Sequence, residues 1–268
     1  MAAAITDVSD QSMRAAVEDN LFAFWSALSR SSLITVEDRP DMLRYTTGVP
    51  FPVMNGILRA RLDADDAAVR DALEPFRSRS LPMMWWTGPS TTPVDLPERL
   101  ERLGLVEVEP TPGMALDLEE LGERSVRVPD LQIEFVASSD DCTVFAEILA
   151  AGFEMPDFVS ETLTRILADV GMGPKGPACS FLGRLNGKPV ATSTVALFGG
   201  IAGIYNVATL PGARGQGIGA AMTLAPLGHA RDNGYRIAIL HSSPMAFDLY
   251  RRLGFREHCK IGQYISEG

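Results

Sequence analysis

The segment Tyr205 to Met222 constrains the fold of this chain most, because it reads as a strand, a tight loop and a helix in direct succession. A short apolar run ends in a Pro-Gly pair. Three glycines then stand at alternate positions, Gly215, Gly217 and Gly219, before apolar residues recur at helical spacing. These glycines remove side chains where the helix begins, so the backbone N–H groups of its first turn can close on a bulky group. The same groups and the positive end of the helix dipole favour an anion such as phosphate.

Two well-known glycine loops fit this segment poorly. A P-loop closes with Lys-Ser or Lys-Thr, and the sequence has no lysine between Lys188 and Lys260. A dinucleotide fingerprint is formally matched from Gly215 to Ala220, but it requires an acidic residue at the end of the next strand. That strand, predicted from Arg236 to Leu240, is followed by His-Ser-Ser. The chain that remains is also too short for the rest of a dinucleotide-binding sheet.

A third family matches two separate motifs of the sequence. The spacing Arg214-x-x-Gly217-x-Gly219 is similar to the pyrophosphate loop of the GCN5-related N-acetyltransferases, the GNAT superfamily. The segment Ser243 to Phe255 resembles the closing helix of that family, with its Leu-Tyr-x-x-x-Gly-Phe ending. Both motifs occur in the family's order and at a plausible separation. The resemblance implies an acyltransferase that uses acetyl-CoA as co-substrate and needs no metal.

The resemblance also implies which residues hold acetyl-CoA. Backbone groups of Val207, Ala208 and Thr209 are expected to pair with its pantetheine arm, with one N–H available to the developing oxyanion. Ser243 occupies the place where many relatives have a cofactor-binding asparagine. The pyrophosphate is expected at the loop and the helix start, which comprise Arg214, Gly215, Gln216, Gly217, Ile218, Gly219 and Ala220.

Two residues are predicted to move protons. Tyr250 matches the tyrosine that serves as general acid in the family, a role that suits a phenol because its pKa of ~10 keeps it protonated at neutral pH. For the general base the sequence offers Glu154, Asp157, Glu134 and His241, none of them within a motif. Glu154 is preferred because its Gly-Phe-Glu-Met-Pro loop separates two predicted helices where relatives place substrate. Water is the alternative base.

The chain is long enough for two domains, and an internal repeat supports that division. Arg102-Leu103-Gly104-Leu105 corresponds to Arg252-Leu253-Gly254-Phe255, an offset of 253 − 103 = 150 residues. The first half lacks the glycine loop and the tyrosine. We therefore predict an α/β (α+β) protein of two tandem GNAT-like domains, each a mixed and mostly antiparallel sheet flanked by helices. Residues 1–125 form a degenerate domain, and residues 126–268 form the acetyl-CoA-binding domain.

Composition excludes several other classes of protein. A net charge of −10 argues against nucleic-acid binding, which needs clustered Lys and Arg. No segment approaches the ~20 apolar residues of a membrane span, so we expect no membrane contact and a cytoplasmic location. The three cysteines are far apart and form no zinc-binding pair. A tandem protein of this kind is expected to be a monomer, in which the halves form a pseudo-dimer, or a homodimer.

The leading hypothesis is an acetyl-CoA-dependent N-acetyltransferase that transfers the acetyl group to a primary amine of a small molecule or protein, by direct attack in a ternary complex. The nearest alternative is a tandem acetyltransferase that resembles mycothiol synthase. A different class of function is a module that senses acyl-CoA without turnover.

Overall fold

The computed structural model describes residues 3–174 and 176–267. The α-helices of this part of the chain are α1 (Asp10–Ala27), α2 (Asp66–Arg77), α3 (Leu96–Arg102), α4 (Ser139–Gly152), α5 (Asp157–Val170), α6 (Ile218–Asp232) and α7 (Phe247–Arg252). The strands are β1 (Thr35–Asp38), β2 (Met42–Thr46), β3 (Asn55–Ala60), β4 (Met83–Thr87), β5 (Val106–Asp117), β6 (Leu131–Phe135), β7 (Ala178–Leu185), β8 (Lys188–Phe198), β9 (Ile201–Thr209), β10 (Ile237–His241) and β11 (Arg256–Ser266).

Local signals in the sequence explain several of these boundaries. The Ser9 side chain caps α1, and Ser138 forms a capping box with Asp141 at the start of α4. Asn186 and Gly187 both have positive φ, 50° and 76°, as the two-residue turn between β7 and β8 requires. An Asn-Gly pair between two strand-like runs predicts a hairpin, and the antiparallel pairing of β7 with β8 confirms it.

The strands of the described chain form one 11-stranded sheet, in the order β1-β2-β3-β4-β11-β5-β10-β9-β8-β7-β6. Two neighbouring pairs, β3 with β4 and β9 with β10, are parallel, and the others are antiparallel. This confirms the predicted mixed, mostly antiparallel sheet with flanking helices. Each half contributes its last strand to the other half's part of the sheet. Strand β11 of the second half lies beside β4 of the first, and β5 of the first half lies beside β10 of the second. The division at residue 125 stays a prediction.

In the sequence, residues 105–108 and 114–118 resemble the two strands of a hairpin, and that prediction is wrong. The structure has one strand there, β5, which pairs with β11 along most of its length and with β10 at its end. Pro110 and Pro112 look like strand breakers in the sequence. Pro110, however, falls where the β5–β11 register shifts between Ile261 and Gln263, and a bulge of this kind does not need its N–H.

Helices cover both faces of the sheet. One face carries α1, α4 and α5, whose apolar side chains join a core with residues of β2, β3, β7 and β8, so this core contains both halves. The helices α6 and α7 pack with Val195, Ile204 and Leu240 in a second core, on the other face of β8, β9 and β10. Helix α1 belongs to the first half by sequence, yet it contacts β8, β9 and β10 of the second.

The proposed repeat has a structural counterpart in the turns after α3 and α7. Gly104 has φ +89° and Gly254 has φ +99°, and each follows the last turn of its helix. Leu105 N–H donates to the carbonyl of Leu100 at 3.0 Å, and Phe255 N–H donates to the carbonyl of Tyr250 at the same distance. The two turns therefore have the same geometry, and Leu100 stands where the second half has Tyr250.

Candidate active site

A gap opens between β9 and β10 because these parallel strands pair over a short stretch. Their register runs from Ala202–Ala238 to Ile204–Leu240. Beyond that point β10 ends at His241, while β9 continues to Thr209. Among the described strands, none pairs with this side of β9 after Ile204. The strands diverge there and leave an edge of β9 accessible from one side.

The backbone of Val207 and Thr209 faces this gap. Leu210 N–H donates to the carbonyl of Val190 in β8 at 2.9 Å, so the backbone of Leu210 faces β8. Successive residues of a strand alternate in direction, and Thr209 and Val207 therefore point their backbone groups away from β8. The exposed edge thus offers the N–H groups of these two residues and the carbonyl of Val207.

A bulge in β9 lies at the mouth of the gap. Asn206 has φ +54°, and the β8–β9 register shifts between Thr192 and Thr194. Hydroxyl groups of β8 hold this irregular backbone. Thr192 donates to the Asn206 carbonyl at 2.8 Å, and the Asn206 amide donates to the Thr194 hydroxyl at 3.2 Å. The bulge is therefore a fixed feature that re-aims the backbone after Tyr205.

The glycine loop joins the end of β9 to α6. Gly215 has φ +78° and Gly217 has φ +82°, values that favour glycine, and Gly217 is the N-cap of α6. A Cβ on Gly215 would meet no atom within 4 Å, whereas one on Gly217 would lie 3.4 Å from a methyl group of Val126. The first N–H groups of α6 have no i−4 carbonyl within the helix. The loop thus presents open amides at a positive helix end.

Arg214 is fixed by two carbonyl groups. Its Nε donates to the Thr209 carbonyl at 3.0 Å, and its Nη2 donates to the Gly152 carbonyl at the end of α4 at 3.1 Å. The guanidinium therefore ties the end of β9 to α4, and its charge stays beside the loop. A Cβ on Gly152 would lie 2.7 Å from the Ala208 side chain, so glycine is needed for this close approach.

The Tyr250 side chain lies in the second core, 6% exposed, on the α6 face of the sheet. Its ring contacts Phe255 edge-on, with ring centroids 6.0 Å apart. Burial raises the pKa of Tyr250 to about 12, and a hydrogen bond with Thr223 of α6 opposes that shift. The phenol therefore keeps its proton throughout the neutral range.

Four of the other predicted residues have exposed side chains. Glu154 is exposed in the turn after α4, with φ +55°, and Asp157 is exposed in the first turn of α5. Glu134 forms an ion pair with Arg184 on the β6–β7 edge. Ser243 is exposed after β10, and its carbonyl accepts the N–H of Ala246 at 3.1 Å.

The contribution of α1 to this region was missing from the sequence-based prediction. Asn20 of α1 donates its amide to the carbonyls of Ala196, Phe198 and Ile201, at 3.1, 3.2 and 2.9 Å. Its oxygen accepts the Tyr205 hydroxyl at 2.9 Å. Residues so far apart in sequence carry no local signal of contact, and an asparagine on a helix face is common.

In the described part of the chain, no helix combines the length and the hydropathy that crossing a bilayer requires. No group of three or more His, Cys, Asp or Glu side chains within residues 3–174 and 176–267 is placed to bind a metal ion.

Comparisons with known proteins agree with this geometry. Residues 177–257 match the family model of the acetyltransferase (GNAT) domain, which covers the strands β7 to β10, the glycine loop and α7. No curated protein matches the chain. A GCN5-related N-acetyltransferase from Kribbella flavida has a similar structure, with TM-score 0.70 and 20% identity over 94% of this chain and 96% of that one.

Two further solved structures have the same architecture. A tandem GNAT protein from the clavulanic acid biosynthesis pathway superposes with TM-score 0.61 and 12% identity, over 99% of this chain and 98% of that one. A GCN5-related N-acetyltransferase from Sphaerobacter thermophilus gives TM-score 0.59 and 17% identity, over 87% and 75%. The chain therefore has the fold of these proteins over nearly its full length.

Proposed function

From the GNAT domain that the second half of the chain carries, we propose that the protein is an acetyl-CoA-dependent N-acetyltransferase. It transfers the acetyl group to a primary amine of a small molecule or protein by direct attack in a ternary complex. The observation that carries the proposal is the gap between β9 and β10, which ends at a glycine loop and a helix N-terminus.

The residues around the gap fit acetyl-CoA. The free edge of β9 at Val207 and Thr209 can pair with the amides of a pantetheine arm, as an added strand would. The loop from Gly215 to Ala220 offers unpaired N–H groups and lacks side chains where a diphosphate would lie. Arg214 adds a positive charge where the end of β9 meets the glycine loop. Ile218 is buried and anchors the helix start beneath the loop.

When bound, acetyl-CoA supplies an activated acetyl thioester, and the residues of the chain supply orientation and proton transfer. A backbone N–H of the segment Val207 to Thr209 stabilises the negative charge that develops on the acetyl oxygen. Tyr250 is the proposed general acid that gives its proton to the departing sulfur. Its buried hydroxyl, with a pKa of about 12, is fully protonated at pH 7 and so remains able to donate.

Calorimetry with acetyl-CoA tests binding first. We expect about one molecule per chain, because the first half has no open counterpart of the gap. Gly217→Val should weaken binding ~10-fold or more, since a branched side chain would crowd the glycine loop. The positive φ at residue 217 also disfavours a branched residue by ~1–2 kcal/mol. Gly212→Ala is the matched control, because Gly212 has open space around it and no positive φ. Equal affinities of the two variants would contradict the placement of the diphosphate.

Turnover is tested with a panel of primary amines, by following the release of free coenzyme A. Release that depends on both acetyl-CoA and amine supports the enzyme. Binding without release for every amine would instead indicate a module that senses acyl-CoA.

A further inference from the structure

We infer that the side-chain oxygen of Asn206 binds the attacking amine and holds it against the acetyl carbon. The inference rests on the proposed acetyl transfer, and it names a side chain that the family motifs do not include. It adds a contact for the acceptor to a site whose other contacts are those for acetyl-CoA.

The backbone of Asn206 is fixed at the mouth of the gap. Its φ of +54° lies in the left-handed region, which asparagine adopts more readily than most other residues with a side chain. The Thr192 hydroxyl donates to the Asn206 carbonyl at 2.8 Å. Val207, the next residue, directs its backbone groups towards the gap. The Asn206 side chain therefore starts one residue from the strand edge proposed to pair with acetyl-CoA.

The carboxamide of Asn206 lies on the face of the sheet that carries α4. It bonds to Thr194 of β8. The next two residues of β8, Val195 and Ala196, belong to the core under α6 and to the core under α4, respectively. Because side chains alternate along a strand, Thr194 shares the α4 face with Ala196. Tyr250 packs under α6, so an acetyl group in the gap would meet the carboxamide on one side and the proposed general acid on the other.

A chain of hydrogen bonds decides which end of the carboxamide faces β8. A thioether only accepts hydrogen bonds, so the Ser180 hydroxyl gives its one proton to Met172 Sδ at 3.4 Å. The Thr194 hydroxyl then donates to Ser180 at 2.9 Å and can only accept from Asn206, at 3.2 Å. The group of Asn206 next to Thr194 is therefore its NH2 group. The oxygen lies at the other end of the carboxamide, away from β8.

The Asn206 oxygen is free and accessible. None of the described residues donates a hydrogen bond to it, and it is not among their buried polar atoms that lack a partner, so it retains accessible surface. The residue as a whole is half-buried. On the same face, Gly152 at the end of α4 packs against Ala208, and the next residue, Phe153, is 51% exposed. A small amine can therefore approach this side of β9 from solvent and find a hydrogen-bond acceptor there.

An amide oxygen suits the developing charge on the amine. The nitrogen becomes positive as it bonds to the acetyl carbon, so its N–H groups become stronger donors, and the Asn206 oxygen accepts one of them. As the carbon–sulfur bond breaks, Tyr250 gives its proton to the sulfur. A second proton of the nitrogen passes to water, and solvent then restores the phenol. One proton thus moves from amine to thiol, and the amide of Asn206 takes none.

This contact predicts a preference for primary over secondary amines. A primary amine brings two N–H groups. One stays on the Asn206 oxygen and becomes the N–H of the product, and the other loses its proton to water. A secondary amine has one N–H, which cannot both bond to Asn206 and be lost. Coenzyme A release with propylamine should therefore exceed release with N-methylpropylamine by ~10-fold or more.

The variant Asn206→Gly tests the contact, because glycine adopts a positive φ freely and so keeps the bulge. With propylamine, kcat/KM should fall ~10- to 100-fold, while calorimetry should give an acetyl-CoA affinity within ~2-fold of the wild type. The preference for propylamine over N-methylpropylamine should shrink by ~3-fold or more, since the secondary amine has less to lose. Asn206→Asp keeps an acceptor oxygen and should retain more of the rate than Asn206→Gly.

Asn233→Ala is the matched control, because Asn233 is an exposed asparagine at the far end of α6 and should leave both rates unchanged. Full activity of Asn206→Gly would overturn the inference. An equal loss for both amines would overturn it too, because that pattern indicates damage to the bulge and not the loss of a contact with the amine. A wild type that binds acetyl-CoA but releases no coenzyme A with any amine would refute the proposed function, and the inference with it.

Discussion

The sheet has two parallel strand pairs whose strands separate after a short pairing. The strand edge exposed by that separation is free in the second half of the chain and is covered in the first. β9 and β10 separate after Leu240 and leave a free strand edge. β3 and β4 also pair briefly, from Gly56–Met84 to Ile57–Trp85, and then separate. There, however, Thr92 fills the space: its N–H donates to the Ala60 carbonyl, and its carbonyl accepts the Leu62 N–H, both at 3.0 Å. The chain itself occupies the edge that a ligand would need.

A buried carboxylate holds that filling segment. Glu18 of α1 is 5% exposed and accepts the N–H of Ser90 at 2.8 Å and its hydroxyl at 3.2 Å. Burial raises the pKa of Glu18, and the bonds from Ser90 oppose that shift. A side chain at Gly88 would collide with the carboxylate. The segment 88–92 is therefore an ordered part of the fold.

The N-terminus of the helix is also open in the second half and closed in the first. α6 begins at Gly217 without a side-chain cap, whereas the Asp65 carboxylate caps α2 by accepting the Ala67 N–H at 2.9 Å. Asp66 pairs with Arg99 of α3 at 2.6 Å. The N-terminus of α2 is thus already occupied by a carboxylate of the chain. The comparison teaches that a few short segments are enough to satisfy, in the first half, the backbone groups that stay open in the second.

Tyr250 should give the largest effect, because its counterpart in the first half is Leu100, which has no proton to give. Tyr250→Phe should lower the rate of coenzyme A release ~100- to 10,000-fold and leave acetyl-CoA affinity nearly unchanged. The measurement is steady-state kinetics together with calorimetry. Tyr235→Phe is the control, since Tyr235 is a buried tyrosine of the same core. An unchanged rate for Tyr250→Phe would remove its assigned role.

His241 should make stability depend on pH, because Trp86 fills the corresponding position in the first half and does not titrate. The folded pKa of His241, about 4, lies below its ordinary value of 6.5. Its contribution is therefore fully present above pH 6.5, where both states are neutral, and is lost as pH falls towards 4 because the unfolded chain binds the proton first. The loss should reach on the order of 3 kcal/mol.

Urea unfolding of wild type and His241→Phe at several pH values measures this contribution. Other groups titrate in the same range, so the difference between the two curves is the quantity to follow. The wild type should lose stability relative to the variant between pH 6.5 and 4. Parallel curves over that interval would mean that the imidazole is solvated and ionisable.

Much of the open half could be predicted from sequence, because its signals are local. The spacing from Arg214 to Gly219 identified the loop, and the Leu-Tyr-x-x-x-Gly-Phe ending identified α7. The bulge at Asn206 and the strand exchange could not be predicted in this way. Both depend on which strands become neighbours, and a shift of one residue in pairing leaves no mark on the sequence.

The closed half was predicted to be degenerate for a local reason, the absence of a glycine loop. Its closure by Thr92 and its support by Glu18 depend on contacts between residues distant in sequence. The same holds for Asn20 of α1, which bonds to residues 176 to 185 positions away. A sequence shows a polar residue on a helix face but does not show which carbonyl groups accept its hydrogen bonds.

Glu18 offers the smallest and most informative change. Glu18→Ala should lower the free energy of unfolding by about 2 kcal/mol, because the Ser90 N–H loses its buried acceptor. Glu18→Gln keeps an oxygen for that N–H and should retain most of the stability at pH 7. Chemical denaturation of both variants measures the difference. Similar losses in both would show that charge, and not the hydrogen bond, holds the segment.

The same variant separates two causes of closure. If the segment 88–92 alone excluded acetyl-CoA, its release in Glu18→Ala would let a second molecule bind. We expect calorimetry still to give about one molecule per chain, because the Asp65 carboxylate continues to hold the Ala67 amide and no glycine loop follows β3. A second equivalent would show that the helix start of the first half can accept a phosphate once the strand edge is free.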